Sequence, residues 1–167
     1  MKEIQVIKED SRKKITLVRD EQTSRTYIQR RIYEDKREVY NTLQKISHPN
    51  IPKIINVEFD CDTVVTEEYV NGTPLSQLVD SNTRFTKKQI RSIAYQLISA
   101  ISELHKLNII HRDIKPDNII INDSGHIWLI DYDIARIYRD EMRKDTESMG
   151  TFGYAPIEQY GVLPTDY

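Results

Sequence analysis

His111-Arg112-Asp113-Ile114-Lys115-Pro116-Asp117-Asn118 is the stretch on which the reading of this chain turns. It sets a carboxylate, an ammonium and a carboxamide, Asp113, Lys115 and Asn118, in one short loop. Asp and Asn in a polar loop most often cap turns and do nothing else. Here the loop joins two regular patterns, which makes an ordered constellation the better reading. Upstream, Thr86 can cap a helix over 86–107 in which Ile90, Ile93, Ala94, Leu97, Ile98, Ile101 and Leu104 form one apolar stripe, the pattern of a core helix. Downstream, 119–121 and 127–130 read as two short strands joined by a turn at Asp123-Ser124-Gly125. The second strand delivers Asp131-Tyr132-Asp133.

Farther towards the N-terminus the character changes. Apolar runs at 4–7, 15–18, 27–32, 54–59 and 63–69, separated by charged stretches, read as strands. One helical pattern, Val39, Leu43 and Ile46, interrupts them and stops at His48-Pro49-Asn50. Asn71-Gly72 then marks a turn, and Gly72 is the first of only five glycines. The expected architecture is α+β: a strand-rich unit over 1–68, a hinge at 69–72 and a helical unit over 73–167.

Composition narrows the functional classes. With 38% hydrophobic and 30% charged residues in 167, the chain can bury a substantial core. A formal net charge of -2 gives no reason to expect nucleic acid or an anionic membrane as partner. Cys61 is the only cysteine, so neither an internal disulfide nor a Cys-rich zinc site can form. The N-terminal residues lack the apolar core of a signal peptide, and no apolar run approaches a membrane span. A soluble, cytoplasmic protein is expected, and the sequence leaves its oligomeric state open.

The loop His111 to Asn118 resembles the catalytic loop of eukaryotic-type (Hanks-type) serine/threonine protein kinases, His-Arg-Asp-x-x-x-x-Asn, at every fixed position. Lys115, two residues after the Asp, is the serine/threonine form. Asp131-Tyr132-Asp133 resembles the magnesium-binding Asp-Phe-Gly motif, with Tyr132 able to pack as Phe does and Asp133 in place of the glycine. Residues 150–161 resemble the end of an activation segment, in particular the bacterial form continuing Glu158-Gln159-Tyr160-Gly161, although Pro156 comes one place early and Ile157 stands where proline is usual.

The resemblance implies a two-lobed kinase fold and an enzyme that moves the γ-phosphoryl of ATP, with Mg2+, to Ser or Thr hydroxyls of a protein substrate. Asp113 would orient the substrate hydroxyl or act as base, Lys115 would supply the cation, and Asn118 and Asp131 would hold the metal. Thr151 would contact Asp113 and Lys115. Glu158 would pair with an Arg beyond this sequence, because family domains are longer and the chain reads as cut off within its second lobe. Arg112 would receive a phosphate placed on Thr146 or Ser148.

The N-terminal unit departs from the family pattern. No glycine precedes Gly72, and aligning Ile15 with the residue that roofs adenine puts Lys8, Asp10 and Lys13 at the three positions of the glycine-rich loop. Lys13 or Lys14 would have to neutralise phosphate by charge. In 27–32, period two puts Ile28, Arg30 and Ile32 on one face and Gln29 and Arg31 on the other, so Arg30 replaces the usual Lys. Glu38 is its nearest candidate partner on the helix. Glu68 and Val70 would meet adenine through their backbone, Glu67 would gate the pocket, and Ile120 would form its floor. These departures support a second reading, a pseudokinase or nucleotide-binding scaffold with little turnover.

Overall fold

The computed structural model describes residues 1–139 and 151–155. The chain divides into two compact units, one of Met1–Ser47 with Pro52–Val70, the other of His48–Ile51 with Asn71–Tyr167.

The first unit is a five-stranded antiparallel sheet of β1 (Lys2–Glu9), β2 (Lys13–Arg19), β3 (Thr26–Ile32), β4 (Ile54–Phe59) and β5 (Thr63–Glu68), in the spatial order β1-β2-β3-β5-β4. The helix α1 (Arg37–Leu43) turns Val39, Tyr40 and Leu43 into the core. Alternation fixes the faces of β3: Arg30 and Ile32 are buried while Arg31 is exposed and pairs with Asp62 at 3.3 Å. Cross-strand pairing lines up Ile15, Arg30, Val65 and Val57 on neighbouring strands, an apolar row with one charged member.

The β1–β2 connection shows why this hairpin needs no glycine. Asp10 Oδ1 accepts the backbone N–H groups of Arg12 and Lys13 at 2.8 and 3.1 Å, and the Asp10 N–H donates to the Lys13 carbonyl at 2.9 Å. The side chain thus closes the turn that the backbone begins. Lys8 pairs with Asp10 at 3.3 Å and Lys14 with Glu3 at 3.2 Å, so Lys14, one of the two lysines expected to neutralise phosphate, is engaged with a surface carboxylate.

In the second unit, β6 (Thr73–Pro74) leads into α2 (Leu75–Asp80) and then α3 (Lys87–Lys106). The start of α3 is set by a capping box: Thr86 Oγ1 accepts the Gln89 N–H at 3.3 Å, and Gln89 Oε1 accepts the Thr86 N–H at 2.9 Å. Beyond it come β7 (Ile109–Ile110), β8 (Ile119–Ile121), β9 (Ile127–Leu129) and β10 (Arg136–Ile137), with β6-β8-β9 and β10-β7 forming two small sheets.

The apolar stripe of α3 is only partly a core. Ala100 and Leu104 are fully buried, whereas Ile90, Ala94 and Ile98 are exposed among the described residues. The expected core helix is therefore buried at its C-terminal half, where β7 and β9 pack on it.

His48-Pro49-Asn50, read from sequence as a helix stop, has a second role. Asn50 Nδ2 donates to the Ile127 carbonyl at 2.9 Å and to Gln96 Oε1 at 3.0 Å, and the Leu129 N–H donates to the Asn50 carbonyl at 2.9 Å. These bonds explain why His48–Ile51 belongs to the second unit, although the sequence reading had placed everything up to residue 68 in the first. Gly72 is also fixed by packing: a Cβ there would lie 2.6 Å from the Ile121 carbonyl oxygen and 2.7 Å from an Ile120 methyl carbon.

Candidate active site

The loop after β7 folds around Asp113. Its Oδ1 accepts the Thr151 hydroxyl at 2.7 Å, and its Oδ2 accepts Asn118 Nδ2 at 2.9 Å and Lys115 Nζ at 2.8 Å. Lys115 Nζ also donates to Thr151 Oγ1 at 2.6 Å, closing a ring of three side chains. Asn118 Nδ2 further donates to the Asp113 carbonyl at 2.8 Å. This spends the amide nitrogen within the loop and turns the amide oxygen the other way.

Burial raises the Asp113 carboxyl, but the bonds from Lys115, Thr151 and Asn118 outweigh it and hold the group below the ordinary carboxylate value. Asp113 is thus an anion at neutral pH. An ionised carboxylate has about four acceptor positions. The described side chains occupy two on Oδ2 and one on Oδ1, so the remaining position is on Oδ1, beside the Thr151 hydroxyl.

His111 supports the loop from behind. It is 2% exposed, its Nε2 donates to the Ile130 carbonyl at 3.1 Å, and its Nδ1 accepts the Asp113 N–H at 3.3 Å. Only the neutral Nε2–H tautomer satisfies both partners. Burial accordingly pushes the imidazole below its usual pKa, against the opposing pull of Asp131 and Asp113.

The ring of Tyr132 lies 5.0 Å from that of His111, and its hydroxyl donates to the Leu129 carbonyl at 2.8 Å. Tyr132 is 1% exposed, so this bond is what allows a phenol in a position expected to hold a phenyl ring. Asp133, in the glycine position of the motif, is buried as well.

The Ile130 N–H donates to the Asn118 carbonyl at 2.9 Å, bringing the residue that precedes Asp131 against Asn118. Arg112 and Asp131 both adopt φ of +68°, a left-handed conformation that costs a non-glycine residue on the order of 1–3 kcal/mol. Strain at both ends of the His111–Ile130 connection is the kind that surrounding bonds maintain at functional sites.

Other proposed residues fall elsewhere. Ile15 is buried on β2, Ile28 is half-buried on β3, and Ile120 is half-buried on β8. Glu68 ends β5, where its N–H donates to the Lys53 carbonyl at 2.9 Å, and Val70 follows it. Arg30 is 4% exposed, and its Nε donates to Glu67 Oε1 at 2.8 Å. Glu67 is 3% exposed. Glu38, expected as a partner on the helix, lies exposed in the first turn of α1, and a carboxylate on Arg30 comes from the neighbouring strand, from Glu67. Thr146, Ser148 and Glu158 lie outside the described residues. A cavity of about 480 Å³ in the second unit, lined by Leu78, Phe85, Lys88, Ile93, Ile121 and Asp123 among others, includes none of residues 111–118.

Comparison with known proteins accords with this geometry. Residues 4–161 match the family model described as protein kinase domain. The chain belongs to the protein kinase family. It is 35% identical over 116 residues to the serine/threonine-protein kinase PrkC of Bacillus subtilis, covering 68% of this chain and 18% of that protein. It is 33% identical over 126 residues to serine/threonine-protein kinase 36 of Pongo abelii, with 75% and 10% covered. It is 30% identical over 137 residues to sperm motility kinase Z of Mus musculus, with 81% and 27% covered. The chain thus spans less than a third of the length of each of these curated relatives. Among the described residues no helix is long and apolar enough to cross a membrane.

Proposed function

We propose that this chain carries the catalytic centre of a serine/threonine protein kinase, transferring the γ-phosphoryl of ATP to a protein hydroxyl. The observation that carries the reading is the ring of Asp113, Lys115 and Thr151, with Asn118 bound to the same carboxylate. A substrate hydroxyl donating to the remaining Oδ1 position of Asp113 would be oriented by an anion that is ionised at neutral pH. Lys115, already 2.8 Å from that carboxylate, would offset the negative charge gathered in transfer. The names of the similar proteins favour Ser and Thr as acceptors, and Thr151 fits that preference by presenting a hydroxyl beside Asp113.

Magnesium fits the donor set. A carboxamide oxygen and a carboxylate, Asn118 and Asp131, are hard oxygen donors of the number this ion uses when phosphates complete its shell. When bound, the ion supplies charge neutralisation on the phosphates. What the chain contributes is orientation: Asn118 is held by its nitrogen on Asp113, and Asp131 is held by a strained backbone following a residue bonded to Asn118.

The test is magnesium-dependent phosphorylation of a generic Ser/Thr substrate by the parent and by Asp113→Ala. Loss of this group is expected to lower turnover by about 10²–10⁴-fold. Asp131→Asn should match that loss and also weaken the magnesium dependence of ATP binding, which Asp113→Ala should leave intact. A parent no faster than the Asp113→Ala control would favour the scaffold reading, for which Arg30 and the glycine-free hairpin are the motivating departures.

A further inference from the structure

Arg30 and Glu67 form an ion pair inside the first unit that differs in architecture from a strand cation paired with a helix carboxylate. Arg30 stands opposite Val65 in the β3–β5 ladder, and Glu67 lies two residues along β5 on the same face. The pair is therefore a diagonal cross-strand contact, within reach of a long side chain. Arg30 is flanked by Ile15 on β2 and Val65 on β5, both buried. Two charges desolvated in such a row cost much of what their attraction returns, and apolar residues of similar volume would hold the sheet as well. Folding alone gives little reason for the pair.

We propose that Glu67 is the positioning residue of Arg30, and that this chain holds its nucleotide-phosphate cation from within the sheet. The inference rests on the kinase reading above for the identity of the ligand, a nucleoside triphosphate with magnesium. A guanidinium is a planar fork, and a carboxylate on Nε fixes the rotation of that plane. With Nε held at 2.8 Å by Glu67, the direction of the terminal nitrogens is set by β5. Both partners sit on hydrogen-bonded neighbouring strands, so their alignment follows from sheet register and does not require α1 to move. Glu67 is thus a residue through which phosphate recognition by Arg30 is positioned, although it need not touch the nucleotide.

The experiment compares parent, Glu67→Gln, Glu67→Met, Arg30→Met, the double variant Arg30→Met/Glu67→Met, and Arg31→Ala, whose side chain is exposed. Thermal unfolding without ligand and the Kd of a fluorescent ATP analogue with magnesium are read for each. Each single Met variant should melt below the parent, and the double variant should recover the parent's melting temperature or exceed it. Glu67→Gln keeps an acceptor but no charge, and should weaken nucleotide binding about tenfold. The double variant should bind at least as weakly as Glu67→Gln while melting normally, and Arg31→Ala should bind as the parent does.

Additive melting losses in the double variant, or parent-like nucleotide affinity in both Glu67→Gln and the double variant, would overturn the inference, as would a parent that binds no nucleotide. If the parent binds and the pair couples but turnover equals the Asp113→Ala control, the kinase reading fails and the role of Glu67 stands.

Discussion

In the second unit Asp113 shares its two oxygens among Thr151, Asn118 and Lys115, all within one short stretch of loop and the residue that packs on it, whereas in the first unit the Arg30 Nε is aimed by Glu67 from a neighbouring strand, in an otherwise apolar row. The loop around Asp113 is a network of shared side-chain bonds, and it keeps the residue order of its family. The sheet of the first unit reaches a comparable end, a charged group in a fixed place, with different residues. Glycine divides the units in the same way. All five glycines fall in Asn71–Tyr167, and the hairpin expected to be glycine-rich is closed by the Asp10 carboxylate instead.

The largest effect expected on stability tests the packing side of this contrast. Gly72→Ala puts a Cβ 2.6 Å from the Ile121 carbonyl oxygen, and backbone cannot yield as a side-chain tip does. A loss of about 1–3 kcal/mol is expected, the range for overpacking a tight site. At Gly125 nothing lies within 4 Å of an added Cβ, and the only penalty comes from its φ of +79°. Denaturant unfolding of both Ala variants checks this, and equal losses would show that the β6–β8 approach is looser than described.

A smaller effect follows from His111. Its folded pKa lies below the ordinary 6.5 because the neutral ring is buried between a carbonyl acceptor and an N–H donor. A depressed value means that the unfolded chain binds the proton more readily. The stability is therefore fully present above about pH 6.5 and falls as pH drops towards the folded value, with a slope of at most about 1.4 kcal/mol per pH unit for this one proton. Asp113, lowered from 3.8, adds its own loss only below that value. Replacing His111 by Gln should lower stability at pH 7.5 yet flatten the profile between pH 6.5 and 5. A profile just as steep in the variant would assign the acid sensitivity to another group.

Much of this architecture is legible in the sequence because local rules govern it. The capping box at Thr86 and Gln89, the alternation that buries Arg30 and exposes Arg31, and the helix-loop-strand order around Asp113 all depend on neighbours a few residues away. The contact of Thr151 with Asp113 and Lys115 is present, and family resemblance pointed to it, since nothing local joins residues so far apart in the chain. Glu67 as a partner of Arg30 was not legible, because a diagonal contact depends on the β3–β5 register, which composition does not reveal. His48-Pro49-Asn50 has the composition of a helix stop, and its bonds to Ile127 and Leu129 become visible only once the chain is folded. The two-residue strands β6, β7 and β10 are too short to carry a period.

The smallest expected effect lies at the β1–β2 turn and tests whether Asp10 replaces glycine by its side chain alone. Its carboxyl is held below the usual 3.8, first by the Arg12 N–H and also by the Lys13 N–H and Lys8. A depressed carboxyl contributes order above its unfolded value and loses it as pH falls through the folded one. Because the turn is fully exposed, global unfolding is a poor measure of it, and amide hydrogen exchange at Arg12 and Lys13 reads the two bonds directly. Asp10→Asn keeps an Oδ1 acceptor and should protect both amides nearly as well as the parent, with no change as pH is lowered through 3.8. Asp10→Ala should release both amides while leaving those of β3 protected. Parent-like protection in Asp10→Ala would mean that the Asp10 N–H to Lys13 carbonyl bond, at 2.9 Å, closes the hairpin by itself and that the aspartate is not the reason this loop dispenses with glycine.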